Sequence, residues 1–192
     1  MPLSPAAPRE KLHLRDIECH GYRRDDGLWD IEGHLVDTKT YAFDNRYHGR
    51  IEPGTPVHEM WLRLTIDEDM VVHEAEAVTD HSPYPICPDI TPRFALLKGL
   101  RIGPGWTREV QRRVGGVNGC THLFELVRTV ATTAFQTLVA ARARKPVDES
   151  KPPRWIDTCH AHASDSPIVR DRWPRFYTGP DGVRVVTDEH EK

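Results

Sequence analysis

Between Asp80 and Pro88 the chain changes its hydrophobic period, and that switch restricts it to a sheet followed by helices. Upstream, Trp29, Ile31, Gly33 and Leu35 alternate with Asp30, Glu32 and His34, so one strand face is apolar and the other ionisable. Residues 12–22 form a strand before it, and Arg23-Arg24-Asp25-Asp26-Gly27 supplies a tight hairpin turn. A second hairpin runs out along Val57–Ile66, turns at Asp67-Glu68-Asp69 and returns along Met70–Thr79. In its first arm Met60, Leu62, Leu64 and Ile66 share a face with His58, which parity places on the buried side near the sheet edge. Residues 41–56, rich in glycine, proline and charge, read as a loop.

Pro83, Pro85 and Pro88 forbid a regular element where the sheet ends. Beyond them the spacing is helical. A short helix begins at Thr91-Pro92 and runs to Leu100, Gly103-Pro104-Gly105 breaks it, and Trp106–Val114 forms another. The main helix spans Thr121–Arg144, with Leu123, Leu126, Val127, Val130, Ala134, Leu138 and Ala141 as its apolar stripe. Strands followed by helices predict an α+β domain: an antiparallel sheet of two hairpins covered by C-terminal helices. The expected organisation is a disordered lead over 1–11, one domain over 12–144, and a Lys/Pro-rich linker over 145–154. An aromatic tail over 155–192 packs on the body or on a partner and frays at its end.

Bulk properties exclude some functions. A net charge of −3 removes the general attraction on which nucleic-acid binders rely. No apolar run is long enough for a membrane span, and the proline-rich Met1–Arg9 lacks a signal-peptide core, so a cytoplasmic protein is expected. Four cysteines without a CxxC pair read as free thiols or ligands in a reducing compartment.

Chemistry concentrates at Gly115-Gly116-Val117-Asn118-Gly119-Cys120-Thr121-His122, where a glycine loop enters the main helix. The glycines either cap the preceding helix or offer backbone N–H groups to an anion. A thiol at a helix N-terminus loses its proton more readily, and thiolate is the form that attacks electrophiles or binds metals. Cys120 and His122 are candidate metal ligands, joined by His58 and Asp80 at the ends of sheet elements; Cys87 is a further candidate there. On the ionisable face of the second strand, Glu32 and His34 are candidates for acid–base catalysis beside Cys120. Cys159-His160-Ala161-His162 in the tail is either a solvated segment or a further contributor to a metal.

Two resemblances rest on these stretches. Arg24-Asp25-Asp26-Gly27-Leu28-Trp29-Asp30-Ile31-Glu32-Gly33-His34-Leu35 and Gly115–Leu123 resemble the bacterial family DUF2889, whose name implies no activity. The element order also resembles, remotely, the iron–sulfur scaffolds of the IscU/NifU type, whose fold SufE shares. That likeness implies a SufE/NifU-like architecture. Cys120 then takes the place of the scaffold's last cysteine, His58 that of its first-loop aspartate, and Asp80-His81-Ser82 falls in the loop of its middle cysteine. No cysteine stands at 80–82, and Gly119 replaces the scaffold's histidine. Histidine and carboxylate ligands favour zinc or mononuclear iron over a cluster.

The sequence therefore leads to a small metal-site enzyme acting on a small molecule by metal-assisted hydrolysis or lyase chemistry. Two alternatives stay open: a non-catalytic carrier or binding module, with a homo-oligomer or protein partner met through the aromatic tail, and an enzyme using Cys120 as thiolate nucleophile.

Overall fold

A computed structural model describes residues 3–142 and 150–180. Residues 143–144 of the expected main helix, 145–149 of the expected linker and 181–192 of the expected frayed end lie outside the described residues. The chain divides into two compact units, Met1–Arg144 and Lys145–Lys192.

The first unit is an α+β structure. Its main sheet contains β1 (His13–Arg23), β2 (Trp29–Lys39), β5 (Pro56–Ile66) and β6 (Val72–His81), antiparallel in the order β1-β2-β5-β6. The turn between β1 and β2 is set by Gly27 at φ 86° and by Asp26, whose carboxylate accepts the Leu28 N–H at 3.2 Å. Within residues 41–56, expected as plain loop, stands a small hairpin, β3 (Phe43–Asn45) and β4 (Gly49–Ile51). Its turn is stabilised by Asn45, whose side-chain oxygen accepts the N–H groups of Tyr47 and His48 at 2.8 and 3.1 Å. Two three-residue arms are too short to register as a period in the sequence.

The short helix expected over Thr91–Leu100 is a 3-10 helix over Cys87–Leu97, with Pro92 inside it removing a backbone donor. Helix α1 (Trp106–Val114) follows, then α2 (Thr121–Arg142). The apolar row of α2, Leu123, Leu126, Val127, Val130, Ala134 and Leu138, is buried against Ile31, Leu35, Met60, Leu62, Leu64 and Ile66 of the sheet. Gly33 lies in the middle of this contact. A Cβ there would stand 2.6 Å from Val130 and 2.8 Å from Leu126, so the bare backbone lets α2 sit close to β2. Among the described residues no helix is long and apolar enough to cross a membrane.

Two irregularities position the site. Asp37 pairs with His58 but Thr38 pairs with Pro56, leaving Val57 as an extra residue in β5. Met60 pairs with Thr79 but Glu59 pairs with His81, leaving Asp80 extra in β6.

The second unit holds a short helix α3 (Pro167–Arg172), capped by Ser166, whose hydroxyl accepts the Val169 N–H at 3.2 Å. Trp155 and Trp173 pack with ring centroids 5.8 Å apart. Much of the expected tail is thus folded structure.

Candidate metal centre

The row Trp29, Ile31, Gly33, Leu35 on β2 ends at Asp37, and the same parity carries its carboxylate to the helix side of the sheet. Asp37 is 1% exposed, and a carboxylate so placed needs partners. Arg15 on β1, directly opposite in the register, donates Nε to Oδ1 and Nη2 to Oδ2, both at 2.8 Å. His13 Nε2 lies 3.1 Å from Oδ1, and His58 Nδ1 lies 3.1 Å from Oδ2. His122, on the first turn of α2, brings Nε2 to 3.8 Å from Oδ2, and its ring lies 3.8 Å from that of His58. The three side chains Asp37, His58 and His122 each offer a ligand atom, and these atoms lie within 4.8 Å of one another.

The electrostatics favour a charged carboxylate beside two neutral rings. Burial pushes the Asp37 carboxyl upward, but the Arg15 hydrogen bonds and charge outweigh it and hold the group below its ordinary value. Burial lowers both histidines. The neighbouring His122 lowers His58 further, and the Arg15 charge does the same to His122. Neutral imidazole is the form that ligates metal.

Cys120 stands at the other nitrogen of His122. Its Sγ lies 3.8 Å from Nδ1, and 3.9 Å from the sulfur of Met60. The thiol and Asp37 therefore address opposite sides of one imidazole. The Gly115–Gly119 loop makes this placement structural: the Gly115 N–H donates to Gln111 C=O at 3.0 Å and closes α1. A Cβ on Gly119 would fall 1.8 Å from the carbonyl oxygen of Val114.

The remaining sequence candidates lie elsewhere. Asp80, expected beside His58, stands on the opposite sheet face, where alternation after the inward Thr79 puts it, and its carboxylate accepts the Trp61 indole N–H at 2.9 Å. Glu32 and His34, the acid–base candidates, stand on the ionisable face of β2 as expected, which is the face turned away from α2 and Cys120. Glu32 meets Arg63, while His34 lies 3.2 Å from Glu59 and stacks on Trp61 at 3.5 Å. Cys19 faces α2 beside Thr133, and burial raises its thiol pKa. Cys159 lies 3.5 Å from His162 within the second unit. Asp37, Arg15 and His13 were absent from the sequence expectations. The signal for Asp37 was a carboxylate continuing the buried-face row, a position where an acid is rare unless paired. Arg15 and His13 carried no signal of their own, because edge-strand cations are ordinary.

Residues 13–136 match the family described as protein of unknown function (DUF2889), and the chain belongs to that family. No curated protein and no solved structure matches the chain.

Proposed function

We propose that this DUF2889 chain holds a divalent transition metal, zinc or iron(II), on Asp37, His58 and His122, and serves as a hydrolase or lyase for a small molecule. The observation that carries this reading is the convergence of two imidazoles and one carboxylate within 4.8 Å, from two strands and a helix. Three protein ligands leave coordination positions for water and substrate, and a metal so held lowers the pKa of bound water or polarises a carbonyl. Within the chain, Arg15 orients Asp37 and balances its charge. Cys120 takes the role of partner to the far nitrogen of His122, fixing ring orientation rather than binding the ion. Asp80 leaves the ligand set for the reasons of position given above, and Asp37 takes its place. A reducing, cytoplasmic setting suits the four free cysteines.

The test is metal analysis of the full chain purified without chelator or metal-affinity resin, followed by zinc titration. The expected result is about one zinc or iron per chain, with binding lost in His58→Ala and in His122→Ala. Absence of metal, with no uptake on titration, would sink this reading.

A second reading draws on the same distances. Cys120, His122 and Asp37 form a chain of thiol, imidazole and carboxylate with two 3.8 Å steps, the order that activates a cysteine nucleophile. Rapid alkylation of Cys120 by iodoacetamide, slowed by His122→Ala, would favour it. A carrier role related to the iron–sulfur scaffolds rests on Cys120 alone. Among the described residues no second cysteine joins it in a ligand group.

A further inference from the structure

The two bulge residues Val57 and Asp80 both line a cleft of about 270 Å³, walled by hairpin β3–β4 on one side and the proline-rich 82–88 segment on the other. Phe43, Ile51, Val57 and Pro83 supply apolar wall, and Asp80 and His81 stand among its polar lining with Asn45, His48, Thr55 and Ser82. Asp80 and His81 belong to the outer-face network, not to the group around Asp37.

We propose that this cleft binds a small primary ammonium ion carrying a compact apolar body. Among the described residues that line the cleft, Asp80 brings the one carboxylate, and there is no lysine or arginine. Its Oδ2 accepts the uncharged Trp61 indole, and Oδ1 has no hydrogen-bond partner among the described residues. His81 Nδ1 lies 2.7 Å from Glu59 Oε2; donation there leaves Nε2 as a second acceptor, with a second negative charge behind it. An ammonium group brings three donors and no acceptor, and so matches this set. A carboxylate would meet Asp80 at a cost, and an alcohol would forgo the charge-assisted bond. The volume lies below that of drug-sized sites, which suits about ten non-hydrogen atoms.

The cleft is also preformed. Pro56, Pro83, Pro85 and Pro88 stiffen its backbone. Asn45 Nδ2 donates to Pro83 C=O at 3.3 Å, and Tyr47 meets Tyr84 edge-on at 5.9 Å, tying the hairpin to the segment it faces. Little ordering is then required of the protein when a ligand enters.

Isothermal titration of the full chain with 2-phenylethylammonium and with its neutral isostere 2-phenylethanol tests the proposal. The ammonium is expected to bind at least about tenfold tighter. Asp80→Asn keeps an oxygen for the Trp61 indole and is expected to bring the two probes within about twofold of each other, with zinc uptake at Asp37 unaltered. Val57→Trp, which fills the cleft, is expected to weaken both. The proposal is overturned if neither probe binds, if the alcohol binds as tightly, or if Asp80→Asn keeps the preference. It is equally overturned if Glu18→Gln, elsewhere on the same sheet face, erases the preference as fully, since the effect would then be a diffuse field.

Discussion

Arg15 grips Asp37 through both carboxylate oxygens, across the edge pair of the sheet and at the point where the buried face of β2 ends. The guanidinium turns a carboxylate that would be costly to bury into a fixed, ionised group presented to two imidazoles. Removing it would leave that charge without its main partner. Arg15→Ala is therefore expected to lower unfolding free energy by about 3 kcal/mol, read by urea denaturation. Arg15→Lys recovers only part of it, because an ammonium cannot bridge both oxygens.

His122 shares its two nitrogens between Asp37 and Cys120, so the proposed metal site makes His122 the ligand and Cys120 its support. Cys120→Ala is expected to keep bound zinc with an affinity reduced by about tenfold, whereas His122→Ala abolishes binding. Competition with a chromogenic chelator measures both. Equal losses in the two variants would place the sulfur on the metal.

Both His58 and His122 titrate below the ordinary histidine value because the fold buries them and sets them beside each other or beside Arg15. A depressed folded pKa means that the unfolded chain takes up protons first as pH falls. Stability from these groups is thus complete above about pH 6.5 and is lost as pH drops through the lowered values. Zinc affinity is expected to follow the same course, flat from about pH 8 to 6.5 and falling below. A titration showing the fall centred above pH 7 would contradict the geometry.

Gly119→Ala is expected to damage the site from outside it. Its Cβ meets the Val114 carbonyl rather than a flexible side chain, so the loop must shift and carry the start of α2 with it. Zinc affinity should drop while the far end of α2 keeps its amide-exchange protection. Gly33→Ala should behave oppositely. It overpacks Val130 and Leu126, costing about 1–3 kcal/mol of stability with a smaller effect on metal binding.

The alternation Trp29–Leu35 and the row Met60–Ile66 were legible as strands because each buries one face only, and the helical row Leu123–Leu138 because it buries one stripe. His58 and His122 were legible as neighbours of a site, since one sits at a strand mouth on the buried parity and the other on the first turn of the helix that covers it. Asp80 misled although its parity was readable: Ala75, Ala77 and Thr79 pair with the inward Leu64, Leu62 and Met60, so the residue after Thr79 points outward with Glu74, Glu76 and Val78. The hairpin β3–β4 was hidden in a stretch whose glycine, proline and charge are what a loop also needs.

The amino-acid sequence by itself determined the periods, and through them the two long hairpins, the covering helix with His122 on its first turn, and the sheet side on which His58 stands. Those are properties of residues near one another in the chain, governed by backbone geometry and the burial of one face. Tertiary structure alone decided that Asp37, His58 and His122 meet, that Arg15 bonds both oxygens of Asp37, and that Cys120 lies behind His122 instead of beside Asp37. Such contacts depend on strand register and on how closely α2 seats over Gly33, and both are set by packing between segments up to a hundred residues apart.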